Sequence, residues 1–175
     1  MKKILIYTFL IFATLESFAQ VNVLSKTQFE NIKVNGKTLK QIRDAKADVT
    51  KVEALFGSAE SMTISLPNQM PWTASFEYLG MLLWYDNMQI SDTETAITLT
   101  NLTIDAPNRT VTINGRSVKV GDKILNLSNI IVKDTKKENL KSIIYVDDPL
   151  STELFYVHFD SKTKKITKIG YFIIP

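Results

Sequence analysis

A single histidine carries all the imidazole chemistry open to this chain. His158 lies in Leu154-Phe155-Tyr156-Val157-His158-Phe159-Asp160, where alternation puts Tyr156, His158 and Asp160 on one face of a strand and Phe155, Val157 and Phe159 on the other. A carboxylate two positions from an imidazole can fix its tautomer and make it an oriented general base. The competing expectation is a polar residue on the wetter face of a strand, because no nucleophile motif accompanies it. The chain has no Gly-x-Ser-x-Gly elbow, no phosphate loop and no paired-histidine metal motif. Asp86, Asn87, Asp92 and Glu94 offer hard oxygen donors but lack the spacing and glycine of a calcium loop, so they are expected to be solvated turn residues. No metal and no cofactor is expected. The absence of cysteine removes thiol nucleophiles, thiolate zinc sites and disulfides.

Aromatic side chains are the stronger functional signal. Trp72, Phe76, Tyr78, Trp84 and Tyr85 fall within positions 72–85, with Met70, Met81 and Met88 around them. Interfaces favour Trp, Tyr and Met because they bury large areas with few torsions, yet the same residues also fill cores. Trp84 alternates with Leu82 and Tyr85 with Leu83, so the two cannot both face the core of a one-layered sheet. The expected contact surface comprises Trp72, Tyr78, Trp84, Tyr85, Tyr156 and His158.

These residues must be positioned by a framework that the sequence punctuates twice. Ile32-Lys33-Val34-Asn35-Gly36-Lys37-Thr38-Leu39-Lys40 is echoed by Val111-Thr112-Ile113-Asn114-Gly115-Arg116-Ser117-Val118-Lys119. Asn-Gly tolerates positive φ at both centres of a tight hairpin turn, and each phrase is expected to deliver the chain from a strand towards a capped helix. The clearest helix follows Asp48 as cap, places Val49, Val52, Leu55 and Phe56 on one side and ends at Gly57. A shorter helical turn is expected around Leu39 and Ile42. Ser61–Leu66 alternates as a half-buried strand. Residues 72–85 read as two strand pieces bent at Gly80, with turns at Asp86-Asn87 and at 92–94. Ala96–Ile104 is a β-branched strand whose phase slips at Thr100-Asn101. Phe29–Val34 is expected to be a strand, and Val21–Gln28 a polar lead-in. In the second half Gly121-Asp122 is expected to open a short helix carrying Ile124 and Leu127. Strands follow at 130–133, 142–146, 154–159 and 166–174, the last apolar on both faces as a central strand would be.

The first residues resemble an export leader. Met1-Lys2-Lys3 precedes an apolar run from Ile4 to Leu15, short for a membrane span, and Ser17 and Ala19 supply small residues at a cleavage point after Ala19. The organisation expected is therefore a signal peptide at 1–19, a first α+β lobe at 20–107 and a second at 108–175. The lobes are taken as related, each a short helical segment plus antiparallel strands, together forming one curved antiparallel sheet. The chain is expected to be exported, to the periplasm or beyond, without stable membrane insertion after cleavage. Its 21 basic and 18 acidic residues nearly balance, and the lysine clusters at 133–137 and 162–165 are interleaved by acids and surrounded by turns, which argues against a nucleic-acid partner.

Asp48-Val49-Thr50-Lys51-Val52-Glu53-Ala54-Leu55-Phe56-Gly57 resembles the helix-to-glycine signature of outer-membrane assembly lipoproteins of the SmpA/OmlA type. It is similar also to small tandem-repeat proteins related to the beta-lactamase inhibitory protein. Val118-Lys119-Val120-Gly121-Asp122-Lys123-Ile124 resembles the strand, Gly-Asp, helix entry of such exported domains. The resemblance spans about half of the mature chain and implies a concave sheet face used for protein contacts. The chain departs from it in lacking a lipidation cysteine and a proline after Gly57. Two function classes follow. The first is a non-enzymatic binding module of the bacterial envelope whose partner is another envelope or secreted protein. The alternative is a small-ligand binder or hydrolase built near His158 and Asp160.

Overall fold

The computed structural model describes residues 21–65, 72–91, 94–124 and 130–174, with the backbone alone at 89–91 and 94. Its elements run in the order β1 (Asn22–Val23), α1 (Lys26–Glu30), β2 (Lys33–Val34), β3 (Lys37–Thr38), α2 (Leu39–Asp44), α3 (Val49–Phe56), β4 (Ser61–Ile64), β5 (Thr73–Tyr78), β6 (Met81–Ser91) and β7 (Glu94–Ile104). There follow β8 (Val111–Ile113), β9 (Arg116–Val118), β10 (Val132–Asp134), β11 (Leu140–Val146), β12 (Glu153–Asp160) and β13 (Ile166–Ile173). The protein is α+β and dominated by one large sheet.

The two Asn-Gly phrases form tight turns with positive φ at both residues, 48° and 81° at Asn35-Gly36 and 48° and 78° at Asn114-Gly115. Such turns match the twist of the strands they join. The two hairpins lie side by side in a small sheet of order β3-β2-β8-β9. Lys33 pairs with Thr112, which is its own counterpart in the second phrase, so the two copies meet about a local two-fold axis. Asn35 strengthens the joint by accepting from the Thr110 amide at 2.9 Å.

Helix α2 begins where the first hairpin ends. Thr38 caps it and Gln41 reaches back to the Thr38 amide, satisfying two otherwise orphaned N–H groups. Asp48 caps α3 through the Lys51 amide, and Gly57 stops it at a φ of 81°. The second phrase ends differently: Asp122 accepts from the Lys119 amide, closing a turn. Residues 125–129, on which most of the expected second helix falls, lie outside the described residues.

The main sheet has the order β1-β11-β12-β13-β7-β6-β5-β4, with β10 also paired to β11, and only its β1·β11 edge is parallel. Pairing of β13 with β7 makes the sheet continuous across the middle of the chain. One face packs under the helices and small sheet. Phe29, Leu39, Ile42 and Val52 from the helices meet Phe76, Leu83, Tyr85, Leu102, Phe155, Val157 and Tyr171 in one core. Arg43 ties this layer to the sheet, pairing with Glu153 at 2.5 Å and Glu30 at 3.5 Å beside the buried Tyr171 hydroxyl.

Several expectations need correction. Val21–Gln28 is not an uninformative lead-in: it holds β1 and most of α1, which Ser25 and Gln28 fix with a reciprocal capping box. Phe29 is consequently helical, and the strand begins only at Lys33. Ser61–Ile64 is a strand, but as the sheet edge it leaves all four residues exposed. Asp86 and Asn87 do not turn the chain. They lie within β6, where pairing with Thr98 and Ile97 overrides their turn preference. The expected slip at Thr100 is a bulge, opposite the Trp84–Tyr85 step.

Candidate functional site

Alternation along β5, β6, β7, β12 and β13 sorts the expected site residues onto opposite faces of the sheet. Tyr85 faces the helices, is 0 % exposed and donates its hydroxyl to the Ile42 carbonyl at 2.8 Å. Tyr78 faces the same way, donates to the Gly57 carbonyl at 3.2 Å and carries Arg109 over its ring. Trp72 packs against this core from the start of β5. Desolvation raises the pKa of both tyrosine hydroxyls, that of the more deeply buried Tyr85 strongly, the response of a phenol taken out of water. Tyr78 and Tyr85 are therefore structural, and the expectation that they form part of a contact surface is corrected.

Trp84, Tyr156 and His158 point the other way, to the face that no described element covers. Cross-strand pairing arranges this outer face in rows. One row runs Ile144, Tyr156, Gly170, Thr103, Leu82, Glu77 across six strands. Tyr156 lies down across Gly170 with its hydroxyl at Thr103. A Cβ at Gly170 would come within 2.5 Å of that hydroxyl and 2.4 Å of the Leu102 carbonyl, so glycine is required for the ring to lie flat. The next row runs Leu154, Phe172, Asn101, Trp84, Ser75, Thr63.

His158 is half-buried between these rows and the sheet end. Its Nδ1 contacts Ser142 Oγ at 2.5 Å across the β11–β12 pair, and its ring stacks on Tyr156 with centroids 4.5 Å apart. Burial, and then the neighbouring Lys168, lower its pKa. Asp160 is not its partner. That carboxylate accepts from the Lys162 and Thr163 amides and closes the turn to β13, which holds its pKa low. Ser142, unremarked in the sequence because its contact is made across strands, is 4 % exposed.

A depression of about 440 Å³ opens on the outer face around Trp84. Trp84 is 38 % exposed and Phe172 37 %, standing on either side of Asn101, with Leu82 and Met88 extending the apolar lining along β6. Asp86 accepts from Trp84 Nε1 at 2.7 Å and from Thr100 Oγ1 at 2.5 Å. The bulge serves this arrangement, because Thr100, the residue left unpaired, delivers its hydroxyl to Asp86. Phe172 and Thr100 were not singled out as site residues. The phase slip at Thr100 was the available signal for one, while Phe172 was hidden in a strand apolar on both faces.

Among the described residues no helix is long and apolar enough to cross a membrane. No protein-family model, curated protein or solved structure matches this chain.

Proposed function

We propose that the protein is an exported, non-enzymatic binding module of the bacterial envelope, and that its contact surface is the outer face of the main sheet around Trp84, Phe172, Leu82, Tyr156 and His158. One observation carries this reading: Trp84 and Phe172 stand more than a third exposed over a 440 Å³ depression, on the face opposite the helix-covered core. Large aromatic residues left open in a concave, mostly apolar setting are the usual anchors of a binding site. The leader-like residues 1–19 support export, and the resemblance of residues 48–57 and 118–124 to exported repeat proteins supports a concave sheet face by analogy. The two-lobe organisation is part of the same proposal, supported by the local two-fold that joins the Asn-Gly hairpins.

The test is affinity capture from envelope extract with the mature protein and with a Trp84→Ala/Phe172→Ala double variant, both checked for folding by circular dichroism. Partners retained by the first and lost by the second are expected. An identical set on both sinks the proposed surface.

A further inference from the structure

We propose that the depression between Trp84 and Phe172 receives a basic side chain, arginine or lysine, carried on an extended and otherwise apolar segment of a protein partner. This rests on the binding-face reading above and names the chemistry of what binds there.

The argument starts from a carboxylate in apolar company. Asp86 is half-buried in a depression lined by Leu82, Trp84, Met88 and Phe172, and no ion pair reaches it among the described residues. Its two oxygens accept one hydrogen each, from the indole and from Thr100. A carboxylate has about four acceptor positions, so half remain for a ligand. Covering this charge with a neutral apolar surface would cost desolvation without compensation, whereas an ammonium or guanidinium would turn the same charge into a charge-assisted hydrogen bond. The aromatic faces add a second attraction of the same sign, since tryptophan is the strongest ring partner for a cation and arginine stacks on it well.

The shape of the lining selects the carrier. Trp84 and Phe172 sit on strands with β7 between them, about 10 Å apart at two strand spacings. Asn101 on β7 forms the floor of that gap. Leu82, Trp84, Asp86 and Met88 succeed one another on the outer side of β6, a line of about 20 Å at the rise of a strand. A compact free cation would use only the middle of this line. An extended segment with apolar residues flanking one basic side chain would use its whole length.

The experiment places Trp72→Phe in the purified protein so that Trp84 is the only indole. Its fluorescence is titrated with N-acetyl-Leu-Ser-Arg-Ser-Leu-amide, whose leucines share the arginine's face when extended, with the same peptide carrying citrulline for arginine, and with hexylguanidinium. The arginine peptide is expected to bind about tenfold more tightly than its neutral citrulline twin, the margin of one well-formed charge-assisted contact. Asp86→Asn is expected to erase that preference. Because Asp86→Asn also touches the Thr100 contact, Phe172→Leu serves as the second variant: it leaves that contact alone and is expected to reduce the arginine preference by removing a ring face. Equal binding of the arginine and citrulline peptides, binding of neither, or a preference that survives Asp86→Asn overturns the proposal. Hexylguanidinium binding as tightly as the peptide overturns the extended carrier. If both peptides bind equally and isothermal titration calorimetry, which needs no indole, shows both lost in Trp84→Ala, the cation inference falls while the binding face stands. If no peptide binds and the captured partners are indifferent to Trp84→Ala/Phe172→Ala, both fall.

Discussion

Trp84 and Tyr85 are neighbours in the chain and occupy opposite environments. Tyr85 enters a core closed by three helices, with its hydroxyl committed to the Ile42 carbonyl and its ring edge-on to Phe76 at 6.0 Å. Trp84 lies on the open face, with its indole nitrogen tethered to Asp86. The same contrast holds on β13, where Tyr171 is buried beside Arg43 and Glu153 while Phe172 is 37 % exposed. What separates structural from available aromatics in this protein is strand phase rather than residue type. Aromatic density in the sequence therefore overstates the size of the surface: of the six expected contact residues, Tyr78 and Tyr85 belong to the core and Trp72 packs against it.

Substitutions across this divide should give unequal effects. The largest is expected for Tyr85→Ala, which empties a fully buried site and should lower unfolding free energy by about 3–5 kcal/mol, while Trp84→Ala should cost about 1 kcal/mol or less. Denaturant melts of the two variants provide the comparison, and similar losses would mean that the outer face is packed as tightly as the inner. Gly170→Ala comes next, at about 1–3 kcal/mol, because the added carbon meets the Leu102 carbonyl as well as the Tyr156 ring. The same variant should raise the accessibility of Tyr156 to iodination, linking a stability loss to a change on the outer face. Tyr85→Phe keeps the ring and removes only the donor to Ile42, for an expected loss of about 1 kcal/mol in the same melts.

The smallest effect is one of pH. His158 has a folded-state pKa below its ordinary 6.5, through burial and then Lys168. The unfolded chain therefore binds more protons than the folded one in the window just below 6.5. Stability from this group is complete above that value and declines as pH falls towards the folded-state pKa. Chemical denaturation followed between pH 7.5 and 5 should show this slope reduced in His158→Gln. An unchanged slope would mean that His158 is effectively solvated.

Local signals carried much of this architecture. Asp48 and Gly57 delimited α3, the Asn-Gly pairs marked both hairpins, Gly80 marked the bend between β5 and β6, and the break in alternation at Thr100 marked the bulge. Misread segments divide by cause. The helix α1 has only five residues, too few for an apolar period, and its one local signal is the Ser25–Gln28 capping box. Asp86-Asn87 looked like a turn because nothing local shows that β7 pairs with β6 through that region. Site geometry was less accessible still. Alternation established that Trp84 and Tyr85 diverge, but which of them meets the helices depends on long-range packing. Ser142 meets His158 through a register that joins residues sixteen apart, and Asp160, the partner suggested by proximity in sequence, is instead spent on a turn.

The central claim, that the outer aromatic face is the one that works, is tested most directly by hydroxyl-radical footprinting of the protein alone and with a captured envelope partner. In the free protein Trp84 and Phe172 should be oxidised readily while Tyr85, Phe76 and Tyr171 are spared. With the partner bound, Trp84 and Phe172 should become protected while Leu79 and Leu150, exposed elsewhere on the surface, keep their reactivity. Protection confined to Leu79, Leu150 or the helices, with Trp84 and Phe172 unchanged, would contradict the account.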